Sequence, residues 1–159
     1  MANLSKTKAL FAFTSPRTIE KIIPEIKILS ENFEGQKWSG NEQVQIDFFQ
    51  TLFDSEYYEG DIFPSNPALA ARDRITRAPK ALGFVDLQPT IKLTEAGKLL
   101  LAEKRLDETF TRQLLKFQLP SPYHTQSKTV NFSIKPYLEL LRLIKELGSI
   151  SKTEIALFF

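Results

Sequence analysis

The stretch from Ser65 to Leu93 constrains the fold more than any other part of the chain. Ser65-Asn66-Pro67 reads as a helix start: Ser or Asn caps the orphan N–H groups of a first turn, and Pro is tolerated there because it has no N–H to satisfy. In the helix that follows, Ala71, Ile75 and Ala78 recur at i, i+4 and i+7 and share one side. Arg74 and Arg77 are predicted to point the opposite way, with Arg72 flanking them. Pro79 is expected to stop the helix. Beyond it, Phe84-Val85-Asp86-Leu87 and Ile91-Lys92-Leu93 alternate apolar and polar residues around Gln88-Pro89-Thr90, the pattern of a β-hairpin. Thr94 then caps a further helix through about Lys104, with Glu95 in its first turn, where the helix dipole favours an anion.

The fold class this predicts is mainly α with a small β-hairpin, that is, α+β. Helix, arginine-bearing helix, hairpin and helix, in that order, describe a winged helix-turn-helix. In that architecture the helix before the hairpin enters the major groove of DNA and the hairpin reaches the flanking backbone.

The flanking segments predict supporting helices. Residues 8–13 read as a short strand, and from Thr18 to Ser30 the residues Ile19, Ile22, Ile23, Ile26 and Leu29 form one helical stripe that Pro24 is expected to bend or restart. Val44, Phe48 and Leu52, with Ile46, Phe49 and Phe53, make a second, strongly apolar helix. Ile134 to Leu147 carries leucines on two stripes and is expected to be widely buried, with Gly148 ending it. Ser151-Lys152-Thr153-Glu154 is a capping box that opens another helix, so the tail reads as the start of a second helix-turn-helix. The domain reading is a helical scaffold over 1–62, a winged-helix-like unit over 63–118, and a linker with an incomplete second helix-turn-helix over 119–159. Ala156-Leu157-Phe158-Phe159 would leave three large apolar side chains in water, each forgoing roughly 1.5 to 3 kcal/mol of burial. The expectation is that this chain is the N-terminal portion of a longer protein.

Charge placement adds to this. The formal net charge is +2, but residues 31 to 61 hold eight acids against the single base Lys37, a net −7 that leaves +9 to the remainder. Such a chain can turn a basic face to a polyanion and stay soluble. With 42% hydrophobic and 25% charged residues, neither disorder nor a fibrous repeat is indicated. No apolar run is long enough to span a bilayer, and no secretory signal opens the chain. The absence of cysteine removes disulfides, thiolate zinc and a cysteine nucleophile. These features predict a cytoplasmic protein with no membrane partner.

A search of the motifs for catalytic chemistry returns no candidate. Pro24-Glu25-Ile26-Lys27 holds a Glu-x-Lys, but on a predicted helix with no aspartate on a neighbouring strand, and it reads as a solvated helix edge. Asp54, Glu56, Glu59 and Asp61 lack the spacing of a calcium loop. Gly35 to Gly40 has phosphate-loop glycine spacing, but Asn41-Glu42 stands where Lys and Ser/Thr are required. His124 is the single histidine and reads as a loop residue.

Ser15-Pro16-Arg17, Glu20-Lys21-Ile22, Pro24-Glu25, Asn32-Phe33-Glu34-Gly35 and Trp38 resemble the start of AlwI-type restriction endonucleases and their strand-nicking relatives. The likeness continues through Arg72-Asp73-Arg74, Gly83-Phe84-Val85, Leu93-Thr94-Glu95-Ala96-Gly97-Lys98, Gln113-Leu114-Leu115-Lys116, Pro120-Ser121, Ser151-Lys152 and Ile155-Ala156, so it covers most of the chain. The resemblance implies a type IIS enzyme. Its N-terminal helical part reads a short asymmetric sequence in double-stranded DNA, and a separate C-terminal PD-(D/E)xK domain, using Mg²⁺, cuts outside that sequence. It further implies that this chain is the recognition half, non-catalytic by itself, monomeric, without a cofactor of its own and in contact with a C-terminal nuclease domain.

On that reading the candidate DNA-binding residues are Arg72, Arg74, Arg77 and Lys80, since the arginine fork can bond guanine O6 and N7 together or grip a phosphate. Lys92 on the hairpin suits a phosphate contact, and Arg17 is added by the resemblance, with Lys37 and Lys128 behind them. The plainer reading of Arg72, Asp73 and Arg74 is a set of local ion pairs. Trp38 and the phenylalanines are expected in the core. Two other readings of the fold stay open at this point: a winged-helix transcriptional regulator, and a protein-interaction module.

Overall fold

The computed structural model describes residues 20–119 and 133–158, the last three as backbone alone. Its elements run α1 Ile22–Phe33, α2 Glu42–Phe53, α3 Pro67–Ile75, α4 Ala78–Ala81, β1 Val85–Asp86, β2 Lys92–Leu93, α5 Glu95–Leu101, α6 Leu106–Lys116, α7 Pro136–Leu147 and α8 Lys152–Phe158. The architecture is mostly helical with one two-stranded antiparallel sheet, in which Val85 pairs with Leu93 and Asp86 with Lys92.

Local capping chemistry places the starts of these helices. Asn66 accepts from the Leu69 N–H at 2.8 Å and Pro67 opens α3, while Asn41 caps α2 through the Val44 N–H. The Thr94 hydroxyl accepts from the Gly97 N–H at 3.1 Å and donates to the Gly83 carbonyl at 2.6 Å, so one side chain starts α5 and ties it to the residue entering the hairpin. The capping box at α8 forms reciprocally: Ser151 N–H donates to Glu154 Oε2 at 2.7 Å and Glu154 N–H to Ser151 Oγ at 3.2 Å.

Two prolines behave differently from their sequence reading. Pro24 lies in the first turn of α1, where no intrahelical N–H is required, and the helix runs unbroken from Ile22. The arginine-bearing helix ends at Ile75 rather than at Pro79, which sits in the opening turn of the short α4. Arg77 therefore stands at the α3–α4 junction, off the face of α3.

One cluster of buried residues runs from α1 through α6 and on to Leu119, crossing the boundary expected at residue 62. Phe48 lies edge-on to Phe33 at 6.0 Å and to Trp38 at 5.7 Å, with Trp38 in the core as expected. The buried stripe of α3, Ala68, Ala71 and Ile75, packs against α2, the small residues letting the two helices approach closely. The α1–α2 loop is stitched to the hairpin turn: Gly35 N–H donates to the Ile91 carbonyl at 2.9 Å and Ile91 N–H to the Gln36 carbonyl at 2.8 Å.

The helix α6 was not read from the sequence. Phe110 against Phe84 at 5.2 Å and Gln113 Nε2 donating to the Leu82 carbonyl at 2.7 Å bind it to the hairpin's entry. The expectation that α7 is widely buried is corrected. Pro136 is its one buried residue, and Leu141 and Leu147 are about half exposed, because among the described residues α7 rests chiefly on α6, with Tyr137 against Phe117. Among the described residues no helix is long and apolar enough to cross a membrane.

Candidate nucleic-acid interface

Packing one side of α3 on α2 leaves Leu69 and Asp73 along the other side, Thr76 at its end, and Arg72 on the flank beside α2. Arg72 is exposed, and its guanidinium is held at one edge: Nη1 donates to Gln45 Oε1 at 3.3 Å. Gln45 is itself buried in α2, and its Nε2 donates to the Trp38 carbonyl at 2.8 Å. A buried amide whose donor end is fixed presents its acceptor end in one orientation, so the Arg72 guanidinium is held against α2. Arg77 Nη2 pairs with Asp73 Oδ1 at 2.9 Å, both side chains about two-fifths exposed, which makes this a weak ion pair that bridges α3 to the α3–α4 junction.

Arg74 is not the outward-pointing residue that the sequence predicts, its side chain being 24% exposed. It pairs with Glu25 of α1 and lies over the Tyr58 ring at 5.1 Å and the Phe49 ring at 6.0 Å. The reason is helical geometry: Arg74 is three residues from Ala71, hence on the same side, and its long stem reaches inward. Glu25 is corrected with it, since this residue is 2% exposed and not on a solvated edge. Burial pushes the Glu25 carboxyl above its ordinary range, with Arg74 and then Lys21 pulling the other way. Its Oε2 has no hydrogen-bond partner.

The remaining candidates spread around the hairpin. Lys80 on α4 is half-buried, and burial holds its ammonium below the ordinary range, partly offset by Asp86. Lys92 is exposed on β2 opposite Asp86. Lys37 and Ser39 from the α1–α2 loop, with Gln88 and Pro89 from the turn, line an open cleft of about 470 Å³. Arg17, His124 and Lys128 lie outside the described residues, as does the strand expected over 8–13.

The structure thus places Arg72 on α3, Arg77 at the α3–α4 junction, Lys80 on α4 and Lys92 on β2, and turns Arg74, its side chain 24% exposed, toward Glu25. The sequence reading gave Gln45 and Leu69 no role. Gln45 carries a signal in retrospect, as a polar residue one position from Val44 within an apolar stripe, but only contact with Arg72 gives it meaning. Among the described residues no three His, Asp or Glu side chains gather as a metal site.

Among curated proteins none matches the chain significantly. A family model described as AlwI restriction endonuclease matches residues 80–159, half of the chain. The match opens at Lys80 and takes in the hairpin with Lys92, the Thr94-Glu95-Ala96-Gly97-Lys98 segment and the Ser151–Glu154 capping box, whereas α1, α2 and α3 lie before it. A hairpin locked to α5 through Thr94 and Gly97 is what those matched residues build, and on this evidence the chain belongs to the AlwI restriction endonuclease family, restriction enzymes whose substrate is DNA.

Proposed function

We propose that this chain is the sequence-specific recognition part of a type IIS restriction or nicking endonuclease, acting as a monomer on double-stranded DNA. In this reading α1 to α3 with the hairpin act as a winged helix, α3 enters the major groove and Lys92 contacts the flanking backbone. The nuclease portion and the Mg²⁺ it would use lie outside this chain, in contact with it. The observation that supports the reading is Arg72, exposed on the flank of α3 with its guanidinium hydrogen-bonded to the buried Gln45 of α2. Arg77 at the α3–α4 junction and Lys80 on α4 are retained as contacts, and Arg17 on the strength of the resemblance alone.

The test is selection from a randomised duplex pool at several salt concentrations, with sequencing of the retained fraction. Enrichment of a short asymmetric sequence is the expected result. Absent or uniform, steeply salt-dependent binding would overturn the reading. A palindromic site bound by a dimer would favour a transcriptional regulator instead.

Gln45→Leu gives a second expected outcome. It removes the acceptor that holds Arg72 and the donor to the Trp38 carbonyl, so urea unfolding should show a loss of about 1 kcal/mol. The same variant should lose discrimination at the one or two base pairs facing Arg72 and keep it elsewhere. A Gln45→Leu chain with an unaltered sequence preference would remove the Gln45–Arg72 contact from the recognition mechanism.

A further inference from the structure

Leu69 is the one large apolar side chain of α3 that the core does not take. The other apolar residues of the helix are small or covered, with Ala68, Ala71 and Ile75 at most 1% exposed, while Leu69 is 47% exposed. Nothing local requires a leucine here, because the N-cap contact with Asn66 uses the Leu69 backbone N–H and would survive a change of side chain. Leu69 lies in the first turn of α3 and precedes Arg72 by three residues, so the two are adjacent positions on the helix surface, both exposed. The first turns of a helix docked in the major groove are the ones that reach base edges.

Of the chemical groups on the floor of the major groove, the apolar one is the 5-methyl of thymine. An exposed isobutyl group one helical step from an arginine that faces a base pair is complementary to that methyl. We propose that Leu69 is a specificity-determining residue that reads a thymine methyl next to the position faced by Arg72. This inference rests on the recognition function proposed above. The rival occupant is a protein surface covering Leu69 together with Ile62 and Phe63 of the preceding loop, which are 83% and 37% exposed.

The experiment uses the duplex retained from the randomised pool, with each thymine replaced singly by deoxyuridine so that only a methyl is lost. At one thymine the unaltered chain should bind the uracil duplex about fourfold more weakly, the effect of one buried methyl-sized group. Leu69→Ala should bind the thymine and uracil duplexes equally at that position, keep the unaltered chain's response at every other position, and melt at the same temperature. If Leu69→Ala retains the full thymine response, or if no thymine methyl matters to the unaltered chain, the inference is overturned while the recognition reading stands. If no sequence is retained from the pool, both are overturned together.

Discussion

Arg74→Met should unfold in urea with a loss of about 3 kcal/mol, a stability effect far larger than that of replacing Arg72, even though the two arginines look alike in the sequence. The substitution keeps most of the stem's volume over Tyr58 and Phe49 but leaves Glu25, 2% exposed, without its counter-charge. Adding Glu25→Leu to Arg74→Met should bring the chain back to within about 1 kcal/mol of its original stability, because a buried ion pair is commonly replaceable by apolar side chains of similar size.

The penalty should also depend on pH, and its sign follows from proton binding. Burial holds the Glu25 carboxyl above its ordinary value of 4.5, so the folded chain binds this proton more tightly than the unfolded chain does. The stability contributed by that proton is complete below the ordinary value and is lost as pH rises through the raised one. Arg74 is the main group pulling the carboxyl back down, so its removal extends that window upward. The cost of Arg74→Met should accordingly be larger near about pH 8 than near about pH 5. Replacing Glu25 by Gln should flatten the difference. A cost independent of pH would show that Glu25 is not the group left stranded. If Arg74 read a base, the double variant would fold and lose preference at a single base pair; preserved preference is the outcome this geometry requires.

Gly97→Ala should be as damaging from a change of one methyl. A Cβ at Gly97 would collide with the Phe84 carbonyl oxygen and come within 3.2 Å of Leu93 Cδ2. That carbonyl is backbone, and it already accepts the Thr94 N–H at 3.1 Å, so it cannot give way without loosening the hairpin and the start of α5 together. The expected cost is about 3 kcal/mol and a fall in melting temperature of roughly 10 °C. Gly40→Ala is the control: nothing lies within 4 Å of its Cβ position, and only its φ of +73° resists the change. Its cost should be about 1 kcal/mol. Equal melting temperatures for the two variants would mean that the close approach of α5 to Phe84 does not set the geometry of the hairpin.

The features legible in the sequence share one property: each is written within a few residues. The Asn66-Pro67 start of α3, the Thr94 cap, the Ser151–Glu154 capping box and the alternation around Gln88-Pro89 each depend on bonds between neighbours in the chain. The apolar repeat of α2 and the inward stripe of Ala71 and Ile75 were legible for the same reason, because a helix fixes which residues share a side. Pro24 and Pro79 were misjudged because a proline's effect depends on whether it falls in a first turn, and that follows from where packing lets the helix begin.

Partners distant in the chain decided the rest. Arg74 and Glu25 are 49 residues apart, and Arg72 and Gln45 are 27 apart. No periodicity in α3 announces that one arginine pairs with a buried carboxylate of α1 while another bonds a buried amide of α2. The half-exposed leucines of α7 make the same point from the opposite side, since amphipathic spacing states what a helix can bury and not what is there to cover it. Taken alone, the sequence determined the helix starts, the hairpin and the family resemblance, all products of local hydrogen bonding and side-chain spacing. Only the tertiary structure decided which cations are exposed and which are paired, because desolvation and pairing of a charge depend on what the fold brings within a few ångströms of it.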